Sequence, residues 1–185
     1  MRITLFMACS LNGIIARPDY REDFLSREHW DGFLACARRT GALIWGRKTH
    51  EKCRRYGPQY LDAMKGLAAI VVTTDPGFAL EPGFERAASP QDAVSTLEAK
   101  GLAEATLAGG SILNASFARA GLIDQVELQI EAVIIGRGIP IVAPGDFDLR
   151  LGPATVAQVT ERILQVRCPV LELTGPGAPR SSQSG

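Results

Sequence analysis

The chain has 185 residues, and its 20 basic side chains balance 20 acidic ones, so the formal charge is zero. A neutral chain without a basic stripe lacks the electrostatic footprint that nucleic acid or an anionic membrane surface requires. With 46% apolar and 22% charged residues, it has the proportions of one globular domain, expected over residues 1–174 and followed by a flexible tail at 175–185 whose Gly, Pro and Ser offer nothing to anchor.

Ile3 to Cys9 is a short run of strand formers that ends at Ser10-Leu11-Asn12-Gly13, where the Asn-Gly pair predicts a turn. After a polar loop, Trp30, Phe33, Leu34 and Ala37 fall on one helical stripe. Ser26 is the expected cap of that helix and Gly41 its stop. Ala42 to Trp45 reads as a strand emptying into Gly46-Arg47-Lys48-Thr49 and a short helix, and Leu67 to Thr74 as a strand covered on both faces.

Ser89-Pro90-Gln91-Asp92 is the clearest helix start in the chain, with a hydroxyl cap, proline in the first position and an acid three residues on. Ala105 to Ala108 predicts a strand that meets Gly109-Gly110-Ser111, and a helix then runs to Gly121. From Asp124 onward Val126, Leu128 and Ile130 alternate with Glu127, Gln129 and Glu131, the pattern of a strand with its polar face in water. Leu164, Val166, Cys168 and Val170 repeat the alternation, with Pro169 implying a bulge or an edge position. Strands alternating with helices, then strands alone, predict an α/β fold whose mostly parallel central sheet ends in a C-terminal antiparallel pair.

The opening residues are too short for a signal segment and no apolar run reaches membrane-spanning length, so a cytoplasmic location is expected. Cys9, Cys36, Cys53 and Cys168 are widely scattered. Their spacing supports neither a zinc site nor a disulfide framework, so no metal site is expected.

Two strand-to-helix junctions, Gly46-Arg47-Lys48-Thr49 and Gly109-Gly110-Ser111, put small residues where helix N-termini expose backbone N–H groups. Each is a phosphate cradle in form, and together they suit the two ends of a dinucleotide. The Rossmann fingerprint and the Walker loop are both absent. These blocks, with Ser10 to Ala16, Gly121-Leu122-Ile123-Asp124 and Gly136-Arg137-Gly138-Ile139-Pro140, resemble the dihydrofolate-reductase-like superfamily. Within it the chain is similar to the C-terminal reductase domain of the bifunctional riboflavin-biosynthesis deaminase-reductase.

The resemblance implies a three-layer fold and NADPH as cofactor. It would seat the nicotinamide against Ala8 beneath a loop that includes Ile15, and phosphates at Gly46, Arg47, Lys48 and Thr49. Thr73 and Thr74 would lie beside the adenosine ribose, and Gly109, Gly110, Ser111, Ile112 and Leu113 would wrap the pyrophosphate, with a cis bond joining the paired glycines. Relatives of this kind are often dimers, which implies a homodimer here.

Hydride transfer also needs a proton. The acids after the first strand, Asp23, Glu28 and Asp31, are the candidate donors, with Asp19 and His29 beside them. The expected activity is hydride transfer to a small heterocycle, carbonyl or imine, with 5-amino-6-(5-phosphoribosylamino)uracil one candidate substrate. Arg21 to Ser26 has neither the Trp nor the Pro of dihydrofolate reductases, and Asn12 stands where riboflavin-pathway reductases usually carry Asp. A catalytically silent nucleotide-binding or interaction protein, a dihydrofolate reductase with a divergent pterin site, and a domain whose glycines serve only turns therefore remain open.

Overall fold

The computed structural model describes residues 1–175. Apart from Gly175, the expected tail lies outside the described residues. The first strand, β1 (Arg2–Ser10), is followed by the short β2 (Ile14–Ala16), helix α1 (Glu28–Thr40), β3 (Ala42–Gly46), α2 (Arg47–Tyr56), α3 (Pro58–Asp62) and β4 (Ala68–Val72). Then come β5 (Phe84–Ala87), α4 (Pro90–Ala99), β6 (Glu104–Leu107), α5 (Ser111–Arg119), β7 (Gln125–Glu131), β8 (Ile139–Pro140), β9 (Asp148–Leu151), β10 (Thr155–Gln158) and β11 (Ile163–Thr174).

The main sheet runs β10-β11-β7-β1-β6-β3-β4-β5, with β9 also paired to β11. From β7 to β5 every pairing is parallel, whereas β11 is antiparallel to β7 and to both β9 and β10. The expected C-terminal antiparallel pair is β7 with β11; β9 and β10 extend it along β11, and β2 with β8 forms a separate small antiparallel sheet. The register of β11 on β9 shifts between Val170 and Glu172, next to Pro169, which has no N–H to give a ladder.

Alternation along the central strands sorts the core into two layers. Ile3, Leu5, Ile44 and Ile70 face α4 and α5, whose Leu97 and Phe117 are fully buried. Phe6, Leu43, Trp45 and Val71 face the opposite way, toward Phe33, Ala37 and Cys53 of α1 and α2. Each fully buried large side chain contributes about 1.5–3 kcal/mol, and the sheet is thereby covered on both sides as parallel strands require.

The helix termini follow the sequence unevenly. Ser89 caps α4 by accepting from the Asp92 N–H at 3.1 Å, as expected. Ser26 does not cap α1, whose N-cap is Arg27; its hydroxyl turns instead to the Glu131 carboxylate. The larger correction concerns β7. Glu127, Gln129 and Glu131 were expected on a wetted face, yet all three are buried. Helix α1 packs over that face and supplies partners for their polar atoms.

Candidate active site

The carboxyl ends of β3 and β6 lie side by side. The Gly46 N–H donates to the Gly109 carbonyl at 2.8 Å, and the Ala108 N–H to the Ile44 carbonyl at 2.9 Å. The helices that follow, α2 and α5, therefore start next to each other. Both have glycine N-caps, Gly46 and Gly110, with no side-chain cap, and neither carries an acid in its first turn. The first N–H groups of a helix have no partner within it, and α4, which starts after the outermost parallel strand β5, has its Ser89 cap. The two uncapped termini thus present unpaired donors and the positive ends of two helix dipoles to one edge of the sheet.

The Ser111 Oγ is buried without a hydrogen-bond partner at the start of α5. Such an orphan fits a ligand oxygen arriving from outside the protein. Gly109 (φ 75°) is joined to Gly110 by a cis peptide bond, and a Cβ on Gly109 would stand 3.1 Å from the Met7 sulfur. Arg47 reaches from α2 over the Phe78 ring, 5.9 Å from its centroid, with Asp75 at 3.7 Å. Thr73 is buried at the end of β4 and accepts from the Asp75 N–H, while Thr74 is exposed beside it. The donor set, the positive charge of Arg47 and Lys48 and the orphaned hydroxyl fit the phosphates of a dinucleotide.

A cavity of about 500 Å³ opens beside these termini, lined by Ala8 and Trp45 near the ends of β1 and β3, by Ala108 just past β6, and by Ile15 and Thr49. Parallel sheets bind ligands at such strand ends. Helix α1 contributes His29, Trp30 and Phe33, and α2 and α3 contribute Tyr56 and Tyr60.

Behind this cavity lies a buried polar array. His29 Nε2 is 3.0 Å from Glu131 Oε2 and its Nδ1 is 3.2 Å from Gln129 Oε1. Gln129 donates to Gln165, and Gln165 to Glu127, which also meets Arg39 and Arg167 at 2.9 Å each. Burial alone would raise the Glu131 carboxyl. The Ser26 hydroxyl and amide, the His29 ring and Arg162 outweigh burial and hold it below the usual carboxylate range. Gly32 makes this possible, because a Cβ there would collide with the Gln129 amide.

The loop after β1 is held by Asn12. Its Nδ2 donates to the Ile135 carbonyl at 2.8 Å, while its Oδ1 accepts from the Ile135 N–H at 3.0 Å and from Ser10 at 2.8 Å. This contact needs both a donor and an acceptor on one short side chain, which Asn has and an ionised Asp lacks.

Sequence reasoning named Asp23, Glu28 and Asp31 as proton donors. Asp23 lines the cavity. Arg17, at 2.6 Å, holds its carboxyl below the usual range despite some desolvation. Glu28 and Asp31 are exposed and do not line the cavity; three residues apart, they share the solvent face of α1, opposite the stripe of His29, Phe33 and Ala37. Ala8, Ile15 and Thr49 are brought together at the cavity, and Gly46 meets Gly109 and Leu113 beside it, whereas the Arg47 side chain lies against Phe78 and Asp75 and that of Lys48 donates to the Tyr20 hydroxyl. Glu131, Gln129 and the tyrosines were missed. The available signal was a run of polar side chains alternating along a strand next to a helix that carries histidine and glycine one turn apart.

The fold, the paired strand-end termini and the adjoining cavity define a dihydrofolate-reductase-like domain. Residues 1–165 match the RibD C-terminal domain, and the chain belongs to that family. Among curated proteins none matches the chain. Solved structures share the fold. A pyrimidine reductase-like protein from Corynebacterium diphtheriae is 16% identical with a TM-score of 0.71, covering 92% of each chain. The riboflavin biosynthesis reductase Rib7 of Saccharomyces is 13% identical with a TM-score of 0.66, covering 92% of this chain and 90% of that one. Dihydrofolate reductase from Enterococcus faecalis, complexed with NADP(H), is 14% identical with a TM-score of 0.66, covering 92% of this chain and 97% of that one. Among the described residues, no helix is long and apolar enough to cross a membrane and no cluster of three or more His, Cys, Asp or Glu could hold a metal.

Proposed function

We propose that the protein is an NADPH-dependent reductase that delivers hydride to a small carbonyl, imine or heterocyclic acceptor in the cavity beside Ala8. The observation that carries this reading is the Gly46–Gly109 contact, which sets two uncapped helix N-termini against one edge, continuous with the cavity. The backbone of Arg47 to Thr49 and of Ser111 to Leu113 would hold the phosphates, with Gly46, Gly109 and Gly110 keeping the approach open. Arg47 and Lys48 would meet a 2′-phosphate, Thr73 and Thr74 the ribose, and Ala8 and Ile15 the nicotinamide. When bound, the coenzyme supplies the hydride.

The protein's own part is to orient the acceptor, exclude water and bring a proton. Asp23 lines the cavity and Arg17 favours its ionised form, so it would position a proton-donating water rather than carry the proton itself. His29 is engaged at both ring nitrogens by Gln129 and Glu131 and serves to fix the cavity wall. The same engagement favours a second reading, coenzyme binding without turnover. The exposed Val156, Leu164 and Leu171 of the outer strands support a homodimer, testable by sedimentation, and four buried free thiols suit a reducing cytoplasm.

The test is calorimetry with NADPH followed by absorbance assays over carbonyls, imines, pterins and 5-amino-6-(5-phosphoribosylamino)uracil. Saturable binding with coenzyme oxidation by one acceptor class supports the reductase. Binding without turnover selects the second reading, and no binding refutes both.

A further inference from the structure

The cavity wall is rich in rings. Phe6, Trp30, Phe33, Trp45, Tyr56 and Tyr60 all line it. Trp30 packs 5.2 Å from Phe33 and edge-on to Tyr60 at 4.8 Å, and Tyr60 lies 5.5 Å from Tyr56. Apolar walls with a few placed polar groups recognise small flat molecules, and ring faces reward another ring laid against them.

The charged part of the wall is spent on itself. Arg21, Glu22, Asp23 and Lys52 line the cavity and sum to zero charge. Arg21 is bound to Asp19 at 2.7 Å, and Lys52 is bound to Glu22 at 2.8 Å and to the Tyr20 carbonyl while lying over the Tyr56 ring. His29 is occupied by Glu131 and Gln129. A phosphate entering here would meet no net positive charge, since each cation of the wall already faces a carboxylate partner and Glu22 and Asp23 repel it. Ser26, which gives its hydroxyl proton to Glu131, retains oxygen lone pairs that can accept from a ring N–H or O–H.

We infer that the acceptor is a flat, uncharged, conjugated ring compound bearing a carbonyl or imine, and that it carries no phosphate. This rests on the reductase reading of the same site. For an aldehyde the step balances simply. The carbonyl carbon would gain the hydride that a bound reduced nicotinamide supplies, and the carbonyl oxygen would gain one proton passed on by water and replaced from bulk solvent, giving an alcohol and the oxidised coenzyme.

Both tryptophans of the chain, Trp30 and Trp45, line the cavity, so intrinsic fluorescence reports its occupancy. The full chain is titrated with naphthamide, which cannot be turned over as an aldehyde, and separately with ribose 5-phosphate and inorganic phosphate. Naphthamide is expected to quench saturably, with affinity falling about tenfold in Tyr60→Ala, the effect of one lost ring contact, while the phosphates leave the signal unchanged. Naphthaldehyde is then expected to be reduced and ribose 5-phosphate not. Quenching by ribose 5-phosphate at lower concentration than by naphthamide overturns the inference, as does naphthamide quenching that Tyr60→Ala leaves unaltered. NADPH calorimetry alongside separates the two claims: lost coenzyme binding with intact naphthamide binding refutes the reductase and leaves the ring site standing.

Discussion

The Gly46 amide donates to the Gly109 carbonyl across 2.8 Å, so residues that are far apart in sequence place two helix N-termini at adjacent strand ends. Neither terminus is closed by its own side chain. The two helices start side by side at one edge of the sheet, next to the cavity, and the proposed coenzyme site rests on that adjacency.

On the proposed coenzyme reading, Arg47 is the residue that separates NADPH from NADH. Its guanidinium is half-exposed and only loosely held by Asp75 at 3.7 Å, which leaves it available to a 2′-phosphate. Charge-assisted hydrogen bonds contribute about 1.5–3 kcal/mol, so Arg47→Ala is expected to weaken NADPH about tenfold or more and leave NADH almost unchanged. Calorimetry with both nucleotides at two salt concentrations checks this, and equal losses for both would remove Arg47 from the 2′-phosphate site.

Asn12 pins the loop after β1 to both the N–H and the carbonyl of Ile135. Asn12→Asp removes the donor and leaves the Ile135 carbonyl unpaired, at a cost of about 1–3 kcal/mol. The expected result is faster hydrogen exchange at the Ile135 amide together with weaker coenzyme binding. Unchanged exchange would show that the loop is held by other contacts.

Glu131 gives the protein an acid-sensitive element. Its carboxyl lies below its ordinary value of 4.5 in the folded chain, so its stabilising contribution is full above that value. The contribution is lost as pH falls below it and through the depressed native value. Glu131→Ala should cost about 3 kcal/mol at neutral pH by stranding His29 and its partners, and should flatten the acid limb of a stability–pH curve. An acid limb identical to wild type would contradict the assignment.

The same region shows where the sequence misled. Alternation of Val126, Leu128 and Ile130 with Glu127, Gln129 and Glu131 correctly marks a strand. Which face is wet depends on α1, whose His29 and Gly32 let polar side chains be buried and satisfied. Periodicity reports spacing and carries no information on a partner a hundred residues away. The glycine-capped starts of α2 and α5 were legible because Gly46 and Gly109-Gly110 act through local backbone, and Ser89 because its cap is local too. Ser26 carries an equally good local signal but is drawn to Glu131, a tertiary contact that outcompetes the cap. The tyrosines of the cavity come from α2 and α3, where no motif marks them.

The cysteines should be chemically silent. All four are free and buried, and burial pushes the Cys9 and Cys53 thiols up to about 12. Thiolate is the reactive form. Iodoacetamide at mildly alkaline pH is therefore expected to label none of them until the chain is unfolded. Rapid labelling of Cys53 in the native protein would show that the cavity opens more widely than its walls suggest.

The most direct measurement is an NADPH titration followed at backbone amides by NMR, in wild type and in Gly46→Val. A Cβ at Gly46 meets the Gly109 carbonyl and Leu113 only at ordinary contact distances of 3.6 and 3.8 Å, so this variant should fold while crowding the junction. One dinucleotide bridging both termini predicts that the amides of 47–49 and 111–113 move along one saturation curve at one equivalent, and that Gly46→Val weakens both together. Shifts at only one terminus, or two curves with different midpoints, would contradict it.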